Sequence, residues 1–574
     1  MADALRISII QTAAYDMLSP HHADNEMFYM LEMEKDYAPD VILLPECVWP
    51  GYFLYGWDYS MQEKSDDIKA RLAQAARRMG CFIVAGLPEP DKSGPTAQAL
   101  PFSEGWMQPV ASPLFNSAFA WNRYGKLVAT GRKTNLWHFD SKWFGKGDGP
   151  ASFRTKWGRM GLMICADARV PGIVEKLAEE GARLILNCTN WVTTGPDRSK
   201  LTNPQADFLI RVRAIENNVW IASSNKVGLE DGLIAFCGGS QLVSPEGEVI
   251  KRASSDRVET IRVEVPLDGQ GRIELPEPRV EKLKNPAYYE TVPISIPREG
   301  QDGHEAPSEE AKPRIQGYAG GASHPYMAVV QQSPESAGQP GTGLVARAAV
   351  RRLAAKIDAI GADIVVFSGT FDAMGGLDPQ AGALLEEPGI RKRILVIPRG
   401  RCEKCGNPIG GADVVFDGRS LQQYGALTER EATRGCPNCG HGDSVAIAPV
   451  VQTPFGPLGL MLGREGHEHR MVAGLVGMGV RMFAWITSGL VHEHDIISRA
   501  RAMECRAWVA TANPARIVGR ASAEGPLSGL SIIAGPDGNA AASAFSDEEQ
   551  IISAYCDLCL AERRDVVPGT QALG

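Results

Sequence analysis

At 574 residues and 61.9 kDa the chain exceeds one ordinary domain and has room for roughly two to four. Its 44% hydrophobic and 22% charged residues are those of a globular protein, and no apolar run approaches the roughly 20 residues that a membrane-spanning helix needs. A net charge of −9 without a concentrated basic stripe opposes non-specific attraction to nucleic acid, so the expected partners are small molecules, with no nucleic acid and no membrane among them.

The first residues, MADALRISIIQTA, run straight into a strand and lack the charged, apolar and cleavage regions of an export signal, which makes a cytoplasmic location the expectation. Beyond them, β-rich runs (LRISIIQ, VILLP, FIVAGLP, GLMIC, ARLILN, VWIASSN) alternate with amphipathic stretches such as DIKARLAQAARRM and VEKLAEEG. This alternation predicts layered α/β structure.

Three residues at strand ends stand out: Glu46 in VILLPECVWPGY, Lys133 in GRKTNLWHFD and Cys165 in GRMGLMICADARVPG. A thiol attacks as thiolate, so a catalytic cysteine needs a base and a nearby positive charge. Glu46 can be that base and Lys133 that charge. When a thiolate adds to a C=O or C≡N carbon, a fixed ammonium and a backbone N–H can hold the charge that develops, which assigns those tasks to Lys133 and the Ala166 amide. One carboxyl group that alternates between acid and base can serve both the leaving nitrogen and the incoming water. Taken singly, a cysteine after GLMI is more often a small core residue, a carboxylate after VILLP an ordinary strand-end group, and Lys133 beside Arg132 a solvated pair. Their shared context makes the case. Cys47, Cys81, Cys188 and Cys237 lack such a setting and read as structural thiols.

At these residues the sequence resembles the nitrilase, or carbon–nitrogen hydrolase, superfamily over roughly its first 280 residues. NSAFAWNRYGKLVATGRK, GARLILNCTNWV, RVRAIENNVWIASSNKVG and FCGGSQLVSPEGEV follow in the family's order. The resemblance implies a four-layer αββα sandwich with a Glu–Lys–Cys triad. Family members usually carry a second glutamate after the lysine. Here Asp140 occupies that neighbourhood, and its shorter side chain predicts contact through water or with a shifted substrate. Ala166 stands where nitrile-cleaving relatives commonly have tryptophan, which favours amide or carbamoyl substrates. Asn190 and Trp191 are expected to shape the pocket, with Tyr52, Trp137 and Trp49 at its mouth.

The segment from about 295 to 325 is rich in Pro, Gly and charge and reads as a linker. After it the pattern recurs. MAVVQQS echoes RISIIQT, GADIVVFSG echoes APDVILLPE, GPLGLMLGREG echoes GRMGLMICADA, and RARAMECRAWVATANP echoes RVRAIENNVWIASSNKVG. In this alignment Gly463 replaces Cys165, Gly369 replaces Glu46, and Thr433 falls near Lys133. The predicted organisation is therefore a catalytic domain over 1–294, a linker over 295–324, and a degenerate, nitrilase-like second sandwich over 325–574. By family habit the two sandwiches would pair as an intramolecular pseudo-dimer, with further homo-oligomerisation possible.

The second half adds RCEKCGNPIGG and RGCPNCGHGDS. Cys402, Cys405, Cys436 and Cys439 form two CxxC knuckles, the spacing of a closed tetrahedral site, so a structural zinc ribbon is expected over about 400–442. Iron, disulfides and redox pairs are the competing assignments. Cys556 and Cys559 make a third CxxC on a strand-like pattern, where alternation would put them on opposite faces. His467 and His469 in GREGHEHR read as polar residues of a vestigial pocket. The reading that follows is a cysteine amidohydrolase that cleaves a non-peptide amide or carbamoyl bond and needs no cofactor for the chemistry. The alternatives are a nitrilase that makes carboxylate and ammonia from a nitrile, and a non-catalytic scaffold built around the zinc ribbon.

Overall fold

The protein is described by a computed structural model over residues 4–17, 19–54, 57, 59–91, 114–137, 140–193, 201–278, 324–331, 344–368, 386–401, 408–416, 419–425, 449–487, 493–515, 529–562, 565–567 and 570–571. The chain divides into two compact units, with Met1–Glu281 forming most of one and Lys282–Val566 most of the other. Gly369, Thr433 and the knuckle cysteines Cys402, Cys405, Cys436 and Cys439 lie outside the described residues, as do residues 295–323.

In the first unit, β1 (Ala4–Ala13), β2 (Val41–Leu43) and β3 (Phe82–Pro90) run parallel, and β4 (Leu114–Trp121) and β5 (Leu127–Arg132) continue the sheet antiparallel. Strand β1 also pairs with β14 (Glu259–Pro266) on its other side. A second sheet has the order β13 (Val249–Arg252), β12 (Gln241–Val243), β9 (Trp220–Ser224), β8 (Ala182–Cys188), β7 (Gly158–Ile164) and β6 (Ala151–Thr155).

Period-two alternation decides which side chains meet. Leu5, Ile7 and Ile9 of β1, with Val41 and Leu43 of β2, join Met160, Leu162, Leu184 and Leu186 of the second sheet in one buried core. The intervening Ile10 and Ile42 face the other way, toward Met27 and Leu31 of helix α1 (Pro20–Met33) and Ile68 and Leu72 of helix α2 (Tyr59–Met79). Pro20 opens α1, where its missing N–H costs nothing, and Arg77 and Arg78 close α2 against the negative end of its dipole. The second sheet is covered on its outer side by Val174 and Leu177 of α4 (Pro171–Glu179) and Ile210 and Ala214 of α5 (Ile210–Asn217), which join the same core. The first unit is thus helix, sheet, sheet, helix.

In the second unit, β15 (Tyr326–Gln331), β16 (Ile364–Phe367), β17 (Ile394–Arg401), β18 (Pro408–Phe416) and β19 (Arg419–Gly425) are joined by β26 (Gln550–Tyr555) beside β15. The other sheet runs β20 (Val450–Thr453), β21 (Gly456–Leu462), β22 (Met482–Ile486), β23 (Trp508–Ala512), β24 (Ile532–Ala534) and β25 (Ala540–Ser543). Strand order and direction match those of the first unit from β14 to β5 and from β6 to β13. Met327, Val329, Ile364 and Val366 pack with Leu458, Leu460, Met482 and Ala484 between the two sheets.

Cys556 follows β26 and is buried, whereas Cys559 begins to emerge on the short helix Leu558–Glu562 with its Sγ 3.8 Å from His324 Nε2. The chain turns into a helix between them, so strand alternation does not set their faces. Among the described residues no helix is long and apolar enough to cross a membrane.

Candidate active site

The site forms where the ends of β2, β5 and β7 meet. Glu46 follows β2 and is fully buried. Its backbone passes so close to β3 that a Cβ on Gly86 would stand 2.5 Å from Glu46 Cα, which is why only glycine fits there. Gly86 N donates to the Pro45 carbonyl at 3.0 Å, and Val48 N donates to the Gly86 carbonyl at 3.0 Å, fixing the turn that carries the acid.

Lys133 follows β5 and is 2% exposed. Its backbone N–H donates to the Asn116 carbonyl at 2.9 Å, and its Nζ lies 2.8 Å from Glu46 Oε1 and 2.6 Å from Asp140 Oδ2. Burial works against the ammonium, but the Asp140 and Glu46 carboxylates outweigh it and hold the Lys133 pKa well above the ordinary lysine value. The site therefore contains a permanently charged lysine between two acids.

Asp140 opens the short helix Asp140–Trp143 and is fully buried. Besides Lys133 it accepts hydrogen bonds from the Tyr52 hydroxyl at 2.9 Å and the Trp137 backbone N–H at 2.6 Å. The shorter carboxylate still reaches the lysine. The loop through Trp137 brings the acid to the lysine, and contact is direct. Tyr52 is buried, and burial together with the Asp140 and Glu46 charges pushes its phenol well above the usual range.

Cys165 follows β7 at φ +44°, a left-handed conformation that costs an L-residue of order 1–3 kcal/mol and lifts it out of strand alternation. Its backbone N–H donates to Asn187 Oδ1 at 3.0 Å, and Asn187 Nδ2 donates to Ser223 Oγ at 3.1 Å, so two neighbouring strands hold the turn. Burial and then the Glu46 charge push the thiol up to about 12, against the opposing charge of Lys133. At neutral pH the resting group is a thiol, and attack requires that its proton be taken as the bond forms.

The turn Cys165–Arg169 is braced by Asp167. Its Oδ1 accepts from the backbone N–H groups of Thr134 at 3.1 Å and Asn135 at 2.9 Å, and its Oδ2 from Ile164 N at 3.3 Å. Burial raises this carboxyl to about 6, despite those bonds and Lys133. The Ala166 carbonyl accepts from Asn135 Nδ2 at 2.7 Å, tying the nucleophile turn to the lysine segment.

Asn190 is buried, with neither atom of its side-chain amide partnered among the described residues. Trp191 is fully buried in the sandwich core, and its backbone N–H donates to Asn225 Oδ1 at 2.7 Å. Trp49 is also buried, and Trp137 is partly so. Cys47, Cys81, Cys188 and Cys237 are buried thiols, and burial raises each above its ordinary value.

Sequence reasoning missed Asn116, Asn187 and Asp167. Each is a fully or almost fully buried polar residue in or beside an apolar strand, and that placement was the available signal, since such groups are kept where they are hydrogen-bonded.

Known proteins resemble this chain in the same region. It is 26% identical over 265 residues to a probable nitrilase of Schizosaccharomyces pombe, covering 46% of this chain and 89% of that protein. It is 24% identical over 294 residues to an omega-amidase of Xenopus tropicalis (47% and 96% covered), and 28% identical over 256 residues to a nitrilase of Pyrococcus abyssi (42% and 86% covered). Among solved structures, an amidase of Nesterenkonia AN1 aligns over 47% of this chain and 94% of its own, with 23% identity and a TM-score of 0.38. The family description carbon-nitrogen hydrolase matches residues 11–273 and again 422–564. The chain belongs to the carbon-nitrogen hydrolase family.

Proposed function

We propose that the first unit is a cysteine amidohydrolase acting on the amide or carbamoyl group of a small molecule. The observation that carries this reading is the buried Lys133 ammonium held between Glu46 and Asp140, with the charges of Glu46 and Lys133 both acting on the Cys165 thiol. Glu46 takes the thiol proton as Sγ attacks the carbonyl carbon, and the oxygen that becomes negative is held by Lys133 and the Ala166 N–H. Glu46 then returns the proton to the departing nitrogen, the C–N bond breaks, and ammonia or an amine leaves behind a thioester on Cys165. Water attacks that thioester while Glu46 accepts its proton. The tetrahedral intermediate collapses to a carboxylic product, or carbamate from a carbamoyl substrate, and the thiol is restored.

Asp140 keeps Lys133 charged and in place, and Asn190, whose buried amide has no partner among the described residues, is the candidate group for orienting the substrate. The alanine at 166 and the omega-amidase relatives support amides. The relatives described as nitrilases support a nitrile as the second reading. A scaffold without activity has no use for a buried lysine held between two carboxyl groups.

The experiment is ammonia release from amides, carbamoyl compounds and nitriles by the wild type and Cys165→Ala. Release lost with the thiol supports the hydrolase, and the productive compound class separates amide from nitrile chemistry. Absence of release from every class, by folded protein, argues for the scaffold.

We further infer that residues 325–574 are a degenerate second copy without a nucleophile, supported by the repeated strand order and by Gly463 at the place of Cys165. Cys402, Cys405, Cys436 and Cys439 would hold a structural zinc as four thiolates. Metal analysis of the wild type and of a Cys402→Ser, Cys405→Ser variant tests this.

A further inference from the structure

Glu46 must exchange protons with the thiol, the leaving nitrogen and water, and its two oxygens stand in different surroundings. Asn116, on β4 and 1% exposed, donates from Nδ2 to Glu46 Oε1 at 2.6 Å. Lys133 Nζ donates to the same oxygen at 2.8 Å. Oε2 is buried and has no partner among the described residues. On the far side of the asparagine, the Cys47 thiol donates to Asn116 Oδ1 at 3.9 Å. The carboxylate fixes the amide's orientation, because a flipped amide would set its oxygen against Glu46 Oε1 and lose that bond, while the Cys47 thiol holds the amide's other atom. The Asn116 carbonyl meanwhile receives the Lys133 backbone N–H, so one residue of β4 orders both the acid and the lysine.

We propose that Asn116, held by Cys47, is a positioning residue that divides the work of Glu46 between its oxygens: Oε1 is pinned and Oε2 carries the proton. The inference rests on the reading of Glu46 as the general base. A carboxylate with both oxygens free can turn either one toward the thiol or away from it, whereas two donors on one oxygen leave a single aimed lone-pair face. The charged and titratable groups around Glu46 are Lys133, Asp140, Tyr52, Cys47, Cys165 and Cys188. Among the described residues, Asn116 is the neutral side chain that donates to Oε1, beside the charged Lys133.

Asn116→Leu and Asn116→Asp test this, assayed with the best substrate from the panel above and by thermal unfolding. With Asn116→Leu, kcat is expected to fall about 100-fold while KM stays within about threefold, because the base loses its aim and the substrate keeps its contacts. With Asn116→Asp, two carboxyls meet at Oε1 and share a proton, so the acid limb of kcat/KM is expected to move up by about one pH unit or more. A residue that only fills the strand would lower the unfolding temperature and kcat together in both variants and leave the acid limb in place, which would overturn the proposal. A turnover-free readout is the unfolding temperature in a cycle of Asn116→Leu with Glu46→Gln. Coupled losses uphold the Asn116–Glu46 relation even if wild-type protein hydrolyses nothing and the hydrolase reading fails, and additive losses overturn it even if hydrolysis is found.

Discussion

Cys165 at φ +44° and Gly463 at φ +52° end equivalent strands, β7 and β21, in the same left-handed turn. The surrounding bonds repeat. The Ile164 N–H donates to Asp167 Oδ2 at 3.3 Å, and the Leu462 N–H to Glu465 Oε2 at 2.8 Å. The same backbone shape thus occurs at a cysteine in one unit and at a glycine in the other. A Cβ on Gly463 would meet nothing within 4 Å, so Gly463→Cys should fold at a cost of about 1–2 kcal/mol, the strain of an L-residue in that conformation. Placed in a Cys165→Ala background, it should restore no hydrolysis if the second unit is the degenerate copy proposed above, in which Gly369 replaces the base and Thr433 falls near the place of the ammonium. Urea unfolding and ammonia release measure the two effects.

Removing the negative charge of Asp140 tests the lysine's support. Asp140→Asn keeps the shape but leaves Lys133 Nζ with Glu46 as its remaining carboxylate partner among the described residues. The ammonium then draws more strongly on the group that must carry the proton. Because that lone pair and charge stabilise the transition state, kcat should fall by about 100-fold or more with smaller change in KM. Because Lys133 keeps Glu46 as its counter-charge, the stability loss should be that of one charge-assisted hydrogen bond, about 1–3 kcal/mol. Steady-state kinetics and urea denaturation check both.

Glu46 and Lys133 were legible as candidate partners because each sits in a segment with its own apolar run and turn, and strand ends gather what sequence separates. Asp140 was legible as a residue, and its direct reach to Lys133 was not. Counting methylenes from Glu to Asp ignores the backbone, and here the turn through Trp137 makes up the distance. Asn116 was hidden in NSAFAW because one asparagine in a strand has no motif, and its task appears only when Glu46, distant by 70 positions in sequence, is brought to its amide. Trp191, just past a strand end, is fully buried, as are Glu46 and Asp140.

Asp167 gives the first unit a pH dependence of definite sign. Its folded carboxyl titrates at about 6 against 3.8 for the ordinary group, so between these values the unfolded chain has released a proton that the folded chain still holds. Stability must therefore fall as pH rises through this window and level off above it, with a contribution of about 3 kcal/mol for a shift of roughly two units. Asp167→Asn should remove that slope while costing stability at every pH, because its NH2 must face a backbone N–H that the carboxylate now accepts. Urea midpoints of both proteins between pH 4 and 7 measure the difference, and equal slopes would exclude Asp167 as its source.

A pair of buried arginines separates stability from chemistry. Arg213 donates from Nε to the Ala168 carbonyl at 2.8 Å and lies 2.7 Å from Glu216, bracing the turn that begins at Cys165. Arg501 does the same for the turn at Gly463, donating to the Gly466 carbonyl at 2.8 Å with Glu504 2.6 Å away. Lysine keeps the charge but not the planar fork that meets a carbonyl and a carboxylate together, so either Arg→Lys change should destabilise its own unit by about 1–3 kcal/mol. Only Arg213→Lys should also lower kcat, because only its turn carries a thiol and a displaced Sγ no longer faces Glu46 and Lys133. Arg501→Lys should lose stability and retain the kcat of the wild type. If its kcat falls as far as that of Arg213→Lys while both proteins remain folded at the assay temperature, the second unit influences the chemistry of the first and cannot be treated as an inert copy.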